Sequence, residues 1–396
     1  MNRIRSALLL LLLLASFLPA STQATMIVGD TNQDMIVSES ELSSLILACL
    51  DGSSHIEQND LRAAAHIYMH YPRTITDSIG QNITVHMPVK RIIALGNYRT
   101  EAVKILGASD QIVGISDDIP KYDYYYPELL EKPTVGTWSK PDYEAIVSLS
   151  PDIVITSANA ERVLQMREKL KSSGITIIGM DFYRDDLLKY EIDKLGYILD
   201  RSDDAEAYID WREGYEVQIA EFVGGLAEED KPRVLLEWGS SNSPTVIMSQ
   251  GEGSSADYVC TAAGGRNVCA HLQQYPKVDS EWILKTDPDI IVKCVSTGPI
   301  LEKWGWQGRD VPERLLDDII ETRPGWDGLS AVKNGRFYIY SSEIAWGPDS
   351  IVGRAYFASW FHPQFDLDPA EIYRGYLELF MGVQCPDNMT FAYPPG

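Results

Sequence analysis

Residues 135–163 read VGTWSKPDYEAIVSLSPDIVITSANAERV, and this stretch decides the fold of the chain. A helix-forming run at 142–150 leads through a Ser-Pro turn into the apolar run DIVITS at 152–157, which is typical of a buried strand. A second helical run begins at Ala160. Because helices on either side of a buried strand cover both faces of a sheet, the stretch predicts one unit of a parallel α/β sheet.

The same alternation of strands and helices continues in both directions. Further apolar runs that predict strands lie at 91–95, 111–116, 175–181, 233–239, 289–294 and 335–341. Residues 186–227 contain little Gly or Pro, and the run at 203–227 is able to form one long helix. We therefore predict an α/β clamshell of two lobes, at 74–184 and 231–396, joined by linking helices at 185–230. In such a fold the ligand binds in the cleft, near the carboxyl ends of the strands.

Composition limits the classes of partner. The formal net charge of −23 over 396 residues excludes nucleic acid, because binding phosphates requires basic patches. The 21 Tyr and 9 Trp residues supply flat surfaces on which a ligand can stack. Of the five cysteines, Cys260 and Cys269 are close in sequence, and we predict that they form a disulfide if the protein is exported.

Export is indicated by residues 1–24, MNRIRSALLLLLLLASFLPASTQA. They have the positive start, the short apolar run and the small-residue end of a secretion signal. We therefore expect the protein to act outside the cytoplasmic membrane, at the cell surface or in a periplasm-like space.

A small all-α module is predicted at 25–73, and it contains the loop GDTNQDMIVSESE at 29–41. The oxygen-bearing positions of this loop have the spacing of an EF-hand-type calcium site, although Met35 stands where such loops usually have Gly. The predicted Ca²⁺ ligands are Asp30, Asn32, Asp34, the carbonyl of Ile36, Ser38 and Glu41. A plain turn rich in Asp and Asn is the alternative.

The helix that follows the loop is repeated. The run VSESELSSLILACL at 37–50 matches IEQNDLRAAAHIYM at 56–69 in pattern, but the loop before the second run is short and poor in ligands. This duplicated unit resembles a dockerin-type module, and that resemblance implies calcium binding and docking to a cohesin-like partner. A role as a stabilising cap is the alternative.

Several segments, taken in order and spacing, make residues 74–383 similar to the ABC-transporter solute-binding proteins that carry iron chelates, haem and cobalamin. The segments are ITDSIGQNITVHMPVKRIIAL at 75–95, the opening stretch at 135–163, YPKVDSEWILKTDPDIIV at 275–292, GLSAVKNGRFYIY at 328–340 and GPDSIVGRAYFASWFHPQ at 347–364. The resemblance implies a non-enzymatic, extracytoplasmic component of an ABC importer. Its expected partners are an ABC permease and a small molecule, which is an iron chelate, haem or a corrinoid.

The resemblance also implies two contacts with the permease. In the cobalamin-binding members of this family, a Glu on each lobe meets an Arg-lined pocket of the permease. The matching residues here are Glu161 in ANAER and Glu281 in VDSEW. The alternative for Glu161 is that it opens a helix, where an acidic residue is favoured anyway.

Candidate cleft residues lie on loops that follow predicted strands. Aromatic walls suit a macrocycle or an aromatic chelate, and an Arg suits a propionate, phosphate or carboxylate group. The candidates are Tyr98, Arg99, Tyr124, Tyr125, Trp138, Trp238, Tyr275, Trp346 and Arg354. The alternative for the aromatic residues is packing, and the alternative for Arg354 is an ion pair with a carboxylate.

Two other functions stay open at this stage. One is a chelatase-like enzyme on the same clamshell, although the sequence has no phosphate-binding loop and no nucleophile elbow. The other is a cell-surface interaction protein in which the dockerin-like module acts and the clamshell is degenerate.

Overall fold

The computed structural model of the chain describes residues 27–53, 56–239, 243–295, 305–307, 310–385 and 389–394. The predicted secretion signal lies outside the described residues. Across the described part of the chain, no helix has both the length and the apolar character needed to span a membrane. The described contacts divide the chain into two compact units, and the smaller unit takes in the residues up to Thr74 together with 84–88 and 171–174.

The smaller unit contains two helices, α1 (Glu39–Leu50) and α2 (Gln58–His70). Helix α1 begins at a capping box, in which the Ser38 hydroxyl accepts a hydrogen bond from the Glu41 N–H and the Glu41 carboxylate accepts one from the Ser38 N–H. Its apolar core consists of Ile27, Val37, Ala64, Ile67 and Tyr71. The likeness of this unit to a dockerin stays a prediction.

The larger unit holds the main sheets of both lobes, whereas the residues at 73–85 are divided between the two units. The elements from Arg73 to Gly179 are, in chain order, β1 (Arg73–Thr76), β2 (Asn82–Val85), β3 (Ile92–Ala94), α3 (Asn97–Ile105), β4 (Ile112–Ile115), β5 (Gly136–Thr137), β6 (Lys140–Pro141), α4 (Tyr143–Leu149), β7 (Ile153–Thr156), α5 (Ala160–Leu170) and β8 (Thr176–Gly179). The first lobe is built on the sheet β4-β3-β7-β8, in which all neighbours are parallel. Strand β7 is buried along its whole length, as the run DIVITS predicts.

Two helices link the lobes, α6 (Leu188–Leu199) and α7 (Ser202–Gly224). Asp200, in the left-handed conformation with φ 59°, ends the first helix, and the second runs for 23 residues. The predicted clamshell with a long linking helix is therefore confirmed.

The second lobe follows the long helix. Its elements are β9 (Arg233–Trp238), β10 (Val246–Met248), α8 (Ser255–Ala262), β11 (Arg266–Asn267), β12 (Lys277–Asp279), α9 (Ser280–Thr286), β13 (Ile290–Val295), β14 (Trp306–Gln307), α10 (Asp310–Thr322), α11 (Ser330–Lys333), β15 (Phe337–Ser341), α12 (Ser350–Phe361), α13 (Pro369–Tyr376), β16 (Met389–Thr390) and β17 (Ala392–Tyr393). The sheet order is β11-β9-β13-β15-β17, and only the β15–β17 pair of this sheet is antiparallel. Apolar side chains from the sheet and from α9 and α10 form its core.

The predicted disulfide is wrong, because Cys260 and Cys269 are both buried thiols. Cys260 lies in α8, and burial raises the pKa of its thiol well above the usual range. Cys269 packs into the core of the second lobe, where its Sγ accepts a hydrogen bond from the Ser249 hydroxyl at 3.3 Å. Closeness in sequence therefore does not bring the two sulfur atoms together.

A buried ionic cluster ties the two lobes to the long helix. Asp185, at the end of the first lobe, binds Arg212 of α7, Arg354 of α12 and the Ser350 hydroxyl. Burial opposes the ionisation of Asp185, but the charges of Arg212 and Arg354 outweigh it and lower the pKa of this carboxyl to about 2. Glu216 of α7 belongs to the same cluster, because its carboxylate binds Arg212 at 2.8 Å and lies 3.8 Å from Arg354, so two acids and two arginines are held together.

Candidate ligand-binding cleft

The candidate cleft is framed by loops at the carboxyl ends of parallel strands in both lobes. Tyr98 follows β3 in the first lobe, whereas Trp238 ends β9 and Trp346 follows β15 in the second. The lobes approach closely here, because a Cβ added to Gly347 would come within 2.7 Å of Tyr98 Cδ1. Gly347 also has φ 102°, a conformation that side chains disfavour, so both the close contact and the backbone require glycine here.

The aromatic candidates fall into two groups. In the second lobe, Trp238 and Trp346 pack edge to face with ring centroids 4.8 Å apart. In the first lobe, the ring of Tyr98 lies 6.4 Å from that of Tyr183. Tyr275 lies just before β12 in the second lobe and is exposed, and a ligand contact by this residue stays a prediction. Each lobe thus contributes aromatic residues at the carboxyl ends of its strands.

Trp138 lies at the rim of the first lobe. Its side chain is 41% exposed, and the guanidinium of Arg162 lies over its ring at 5.0 Å. A Cβ added to Gly96 would lie 3.8 Å from Trp138 Cδ1, so the indole stands beside the start of α3. An exposed indole at this rim offers an apolar surface on which a ligand can stack.

Both candidate arginines are engaged in ion pairs. Arg99 is buried, and its Nη2 donates to Asp181 Oδ1 at 2.9 Å while its Nε donates to the Met180 carbonyl at 2.8 Å. Arg354 binds Asp185, which is the alternative that the sequence left open. A direct role of either arginine in ligand binding stays a prediction.

The Tyr-rich loop at 122–126 contributes a buried contact between the lobes. Tyr125 is 3% exposed, and its hydroxyl lies 2.9 Å from Asp349 Oδ2 and 3.0 Å from the Tyr373 hydroxyl. Tyr124 is less buried than Tyr125. The structure therefore brings Tyr125 into the junction between the lobes, and a ligand contact by either tyrosine stays a prediction.

The sequence patterns did not predict a role for three acidic residues near this edge. Glu101 of α3 accepts a hydrogen bond from the Tyr376 hydroxyl at 2.5 Å, Asp349 precedes α12, and Glu343 lies in a short 3₁₀ helix directly after β15. Burial raises the pKa of Glu343 to about 7, and it raises the pKa of Glu101 and Asp349 well above the usual range. Position after a strand was the available signal for Glu343, as it was for Tyr183 after β8.

The two predicted docking residues occupy equivalent positions. Glu161 lies in the first turn of α5 in one lobe, and Glu281 lies in the first turn of α9 in the other. Both side chains are exposed. An acid in the first turn also stabilises the helix dipole, so this position by itself does not distinguish docking from capping.

The loop at 29–41 is held together by its own hydrogen bonds. Asp30 accepts from the Gln33 and Met35 N–H groups, Asn32 Oδ1 accepts from the Asp34 N–H, and Asp34 accepts from the Ile36 N–H. Met35 adopts φ 68°, the left-handed conformation for which such loops ordinarily use Gly.

The Glu41 carboxylate is engaged by hydrogen bonds within the loop. Its two carboxylate oxygens accept hydrogen bonds from Thr31, Asn32 and Ser38, and those of Ser38 and Thr31 lower the pKa of Glu41 to about 2. In the described residues, no three His, Cys, Asp or Glu side chains converge to hold a metal ion. The oxygen types of the loop fit a hard cation, and calcium binding stays a prediction.

Comparison with known proteins identifies the class of this fold and site. Residues 92–344 match the family model described as "Periplasmic binding protein", and the chain belongs to this family. The uncharacterized ABC transporter substrate-binding lipoprotein YvrC of Bacillus subtilis is 25% identical over 301 residues, covering 74% of this chain and 86% of the relative.

Other similar proteins carry names that state a ligand. The Fe(3+)-citrate-binding protein YfmC of Bacillus subtilis is 27% identical over 304 residues, covering 75% of this chain and 87% of the relative. The cobalamin-binding protein of Halobacterium salinarum is 25% identical over 233 residues, covering 57% and 59%. Among solved structures, the TroA-like periplasmic binding protein FepB of Veillonella parvula has a TM-score of 0.70 at 22% identity and covers 82% of this chain and 100% of that chain.

Proposed function

We propose that this protein is the exported, extracytoplasmic substrate-binding component of an ABC importer. In this proposal it binds a metal chelate or a corrinoid in the cleft between its lobes and acts as a binding protein, not as an enzyme. The observation that carries the proposal is the close approach of Tyr98 in one lobe to Gly347 in the other, beside the packed pair Trp238 and Trp346 at the carboxyl ends of parallel strands.

The chemistry of these side chains supports a large flat ligand. Indole and phenol rings offer wide apolar faces with a polar edge, and they lose little conformational entropy when they bind. The named relatives that bind ferric citrate and cobalamin support the same class of ligand. We also propose that Glu161 and Glu281 dock the two lobes onto the permease, since an exposed carboxylate on each lobe can form a charge-assisted contact with an arginine.

The proposal is tested by titrating the full chain with ferric citrate, haemin, cyanocobalamin and ferrioxamine B, following tryptophan fluorescence and confirming the result by calorimetry. We expect saturable binding of at least one chelate with a dissociation constant in the micromolar range or below. Trp346→Leu should weaken that binding by about tenfold, the range expected for losing one stacked aromatic ring. The control is Trp282→Leu on α9, whose ring packs against the core of the second lobe.

A further inference from the structure

The side chain of Glu343 has an unsatisfied oxygen at the edge of the cleft. Glu343 lies in the 3₁₀ helix Ser342–Ile344 directly after β15, and Trp346 comes three residues later. Its Oε2 is buried and accepts no hydrogen bond from any described residue. Leaving a buried carboxylate oxygen without a donor is costly, so such an oxygen calls for a partner that the chain does not supply.

The surroundings of Glu343 are aromatic and acidic. Glu343 lies on the short segment between β15 and α12, where a Cβ added to Gly347 would come within 2.7 Å of Tyr98 Cδ1 and 3.4 Å of Glu101 Oε2. Asp349, on the same segment, is 1% exposed and has a second unsatisfied oxygen, Oδ1. Two buried acids thus each present an unpartnered oxygen in one neighbourhood.

The basic side chains of this region form ion pairs with other carboxylates. Among the described ion pairs, Arg99 is held by Asp181, Arg354 by Asp185 and Lys104 by Glu128. Within the same described residues, no ion pair involves Glu101, Glu343 or Asp349. The local field therefore favours a cation over an anion, and the nearby rings of Trp238 and Trp346 add the attraction of a π face for a positive charge.

We propose that the cleft selects ligands that carry an organic cation, an ammonium or protonated amine, and that Glu343 is the residue that pairs with it. This inference rests on the proposed function, and it narrows the ligand class from metal chelates in general to chelates with a positively charged side group. The cation is organic because no three metal-ligating side chains converge in the described part of the chain. An ammonium group needs one carboxylate and an aromatic wall, and both are present here.

Affinity for such a ligand depends on the ionisation of Glu343. Burial raises its pKa to about 7, so its carboxyl is only partly ionised near neutral pH. Binding of a cationic chelate should therefore strengthen as the pH rises from about 6 to about 8, whereas binding of a neutral chelate should not. The titratable groups whose pKa the charge of Glu343 raises, in addition to burial, are Tyr98 of α3, Tyr122, Asp349 and Cys294 of β13.

The test uses two chelates that differ in one charge. Ferrioxamine B carries a free ammonium group, and N-acetylferrioxamine B has the same ferric centre with that amine made neutral. We expect the full chain to bind the ammonium form more tightly by about tenfold or more. Glu343→Gln, which keeps the size of the side chain and removes its charge, should bring the two affinities to within about twofold. Glu168→Gln, an exposed change on α5, should leave the ratio unaltered.

The outcomes separate this inference from the proposed function. Equal binding of the two ferrioxamines, or a ratio that Glu343→Gln does not change, overturns the inference while the proposed function stands. Binding of only ferric citrate, haemin or cyanocobalamin, none of which has an ammonium group, also overturns the inference while the proposed function stands. Failure of all five compounds to bind overturns the proposed function, and the inference with it.

Discussion

The hydroxyl of Tyr125 donates to Asp349 Oδ2 at 2.9 Å, across 224 positions of sequence and from one lobe to the other. Tyr125 belongs to a loop of the first lobe, and Asp349 stands at the start of α12 in the second. Both side chains are buried. This contact therefore stabilises the packing of the lobes at the back of the candidate cleft.

Removing that hydroxyl should loosen the junction. Tyr125→Phe keeps the ring but leaves Asp349 without the donor to its Oδ2, so we expect a loss of about 1–3 kcal/mol in the free energy of unfolding. Urea denaturation measures it. Tyr190→Phe is the matched control, because Tyr190 is 60% exposed and the same atom is removed at the surface. Equal effects of the two changes would show that the Tyr125 contact is not stabilising.

Loss of the Asp185 carboxylate should lower the free energy of unfolding far more than loss of the neighbouring Asp186 carboxylate. Asp185→Asn removes one of the two carboxylates that bind the buried guanidinium of Arg212 and also the partner of Arg354, and breaking buried pairs in this way costs about 3–5 kcal/mol. Asp186→Asn makes the same change in an exposed pair with Arg184, which is worth about 0–1 kcal/mol. Chemical denaturation of both variants gives the comparison. A loss for Asp185→Asn no larger than that for Asp186→Asn would contradict the assignment of Asp185 as the centre of the cluster.

Glu343 should make stability depend on pH. Its pKa is about 7 in the folded protein and 4.5 ordinarily, so between these values the unfolded chain has lost a proton that the folded protein keeps. The free energy of unfolding contributed by this group therefore falls as the pH rises from 4.5 to about 7. Glu343→Gln should be more stable than the natural protein by about 1–2 kcal/mol at about pH 8 and should match it at about pH 4.

Denaturation curves at several pH values measure this difference. Glu168→Gln serves as the control, because its carboxylate is exposed and should not change the pH dependence. Parallel stability profiles for the natural protein and Glu343→Gln would mean that Glu343 titrates normally.

Calcium should stabilise the smaller unit if the loop at 29–41 binds it, as we propose. A ligand at about a hundred times its dissociation constant adds about 2.7 kcal/mol of stability. We therefore expect calcium to protect α1 and α2 of the full chain from hydrogen exchange, and Asp30→Asn with Asp34→Asn to abolish the effect. No change in exchange on adding calcium, or an equal change on adding magnesium, would contradict a calcium site in this loop.

Docking predicts a variant that binds but does not transport. Replacing Glu161 and Glu281 together by Ala should leave ligand affinity unchanged and abolish uptake by cells that contain the permease, because each lobe loses its charge-assisted contact. Glu168→Ala with Glu321→Ala removes two exposed acids from α5 and α10 and is the control. Loss of ligand affinity in the first double variant would place these residues in the cleft instead.

Local patterns predicted the architecture well and the site only in part. The run at 152–157 predicted a buried strand, and β7 occupies Ile153–Thr156, because apolar runs between helices leave few alternatives. Helix α10 was missed. Apolar runs predicted that Tyr98 and Trp238 stand at the ends of strands, yet the sequence could not show that Arg99 turns inward to Asp181. That pair joins residues 82 positions apart, and nothing in a local pattern encodes such a contact.

Hydrogen-exchange mass spectrometry of the full chain, with and without each chelate, tests most directly whether the cleft is the binding site. We predict that a bound chelate protects the segments around Tyr98, Trp238 and Trp346 and leaves α1 and α2 unchanged. Protection confined to α1 and α2, or no protection by any chelate, would contradict the account.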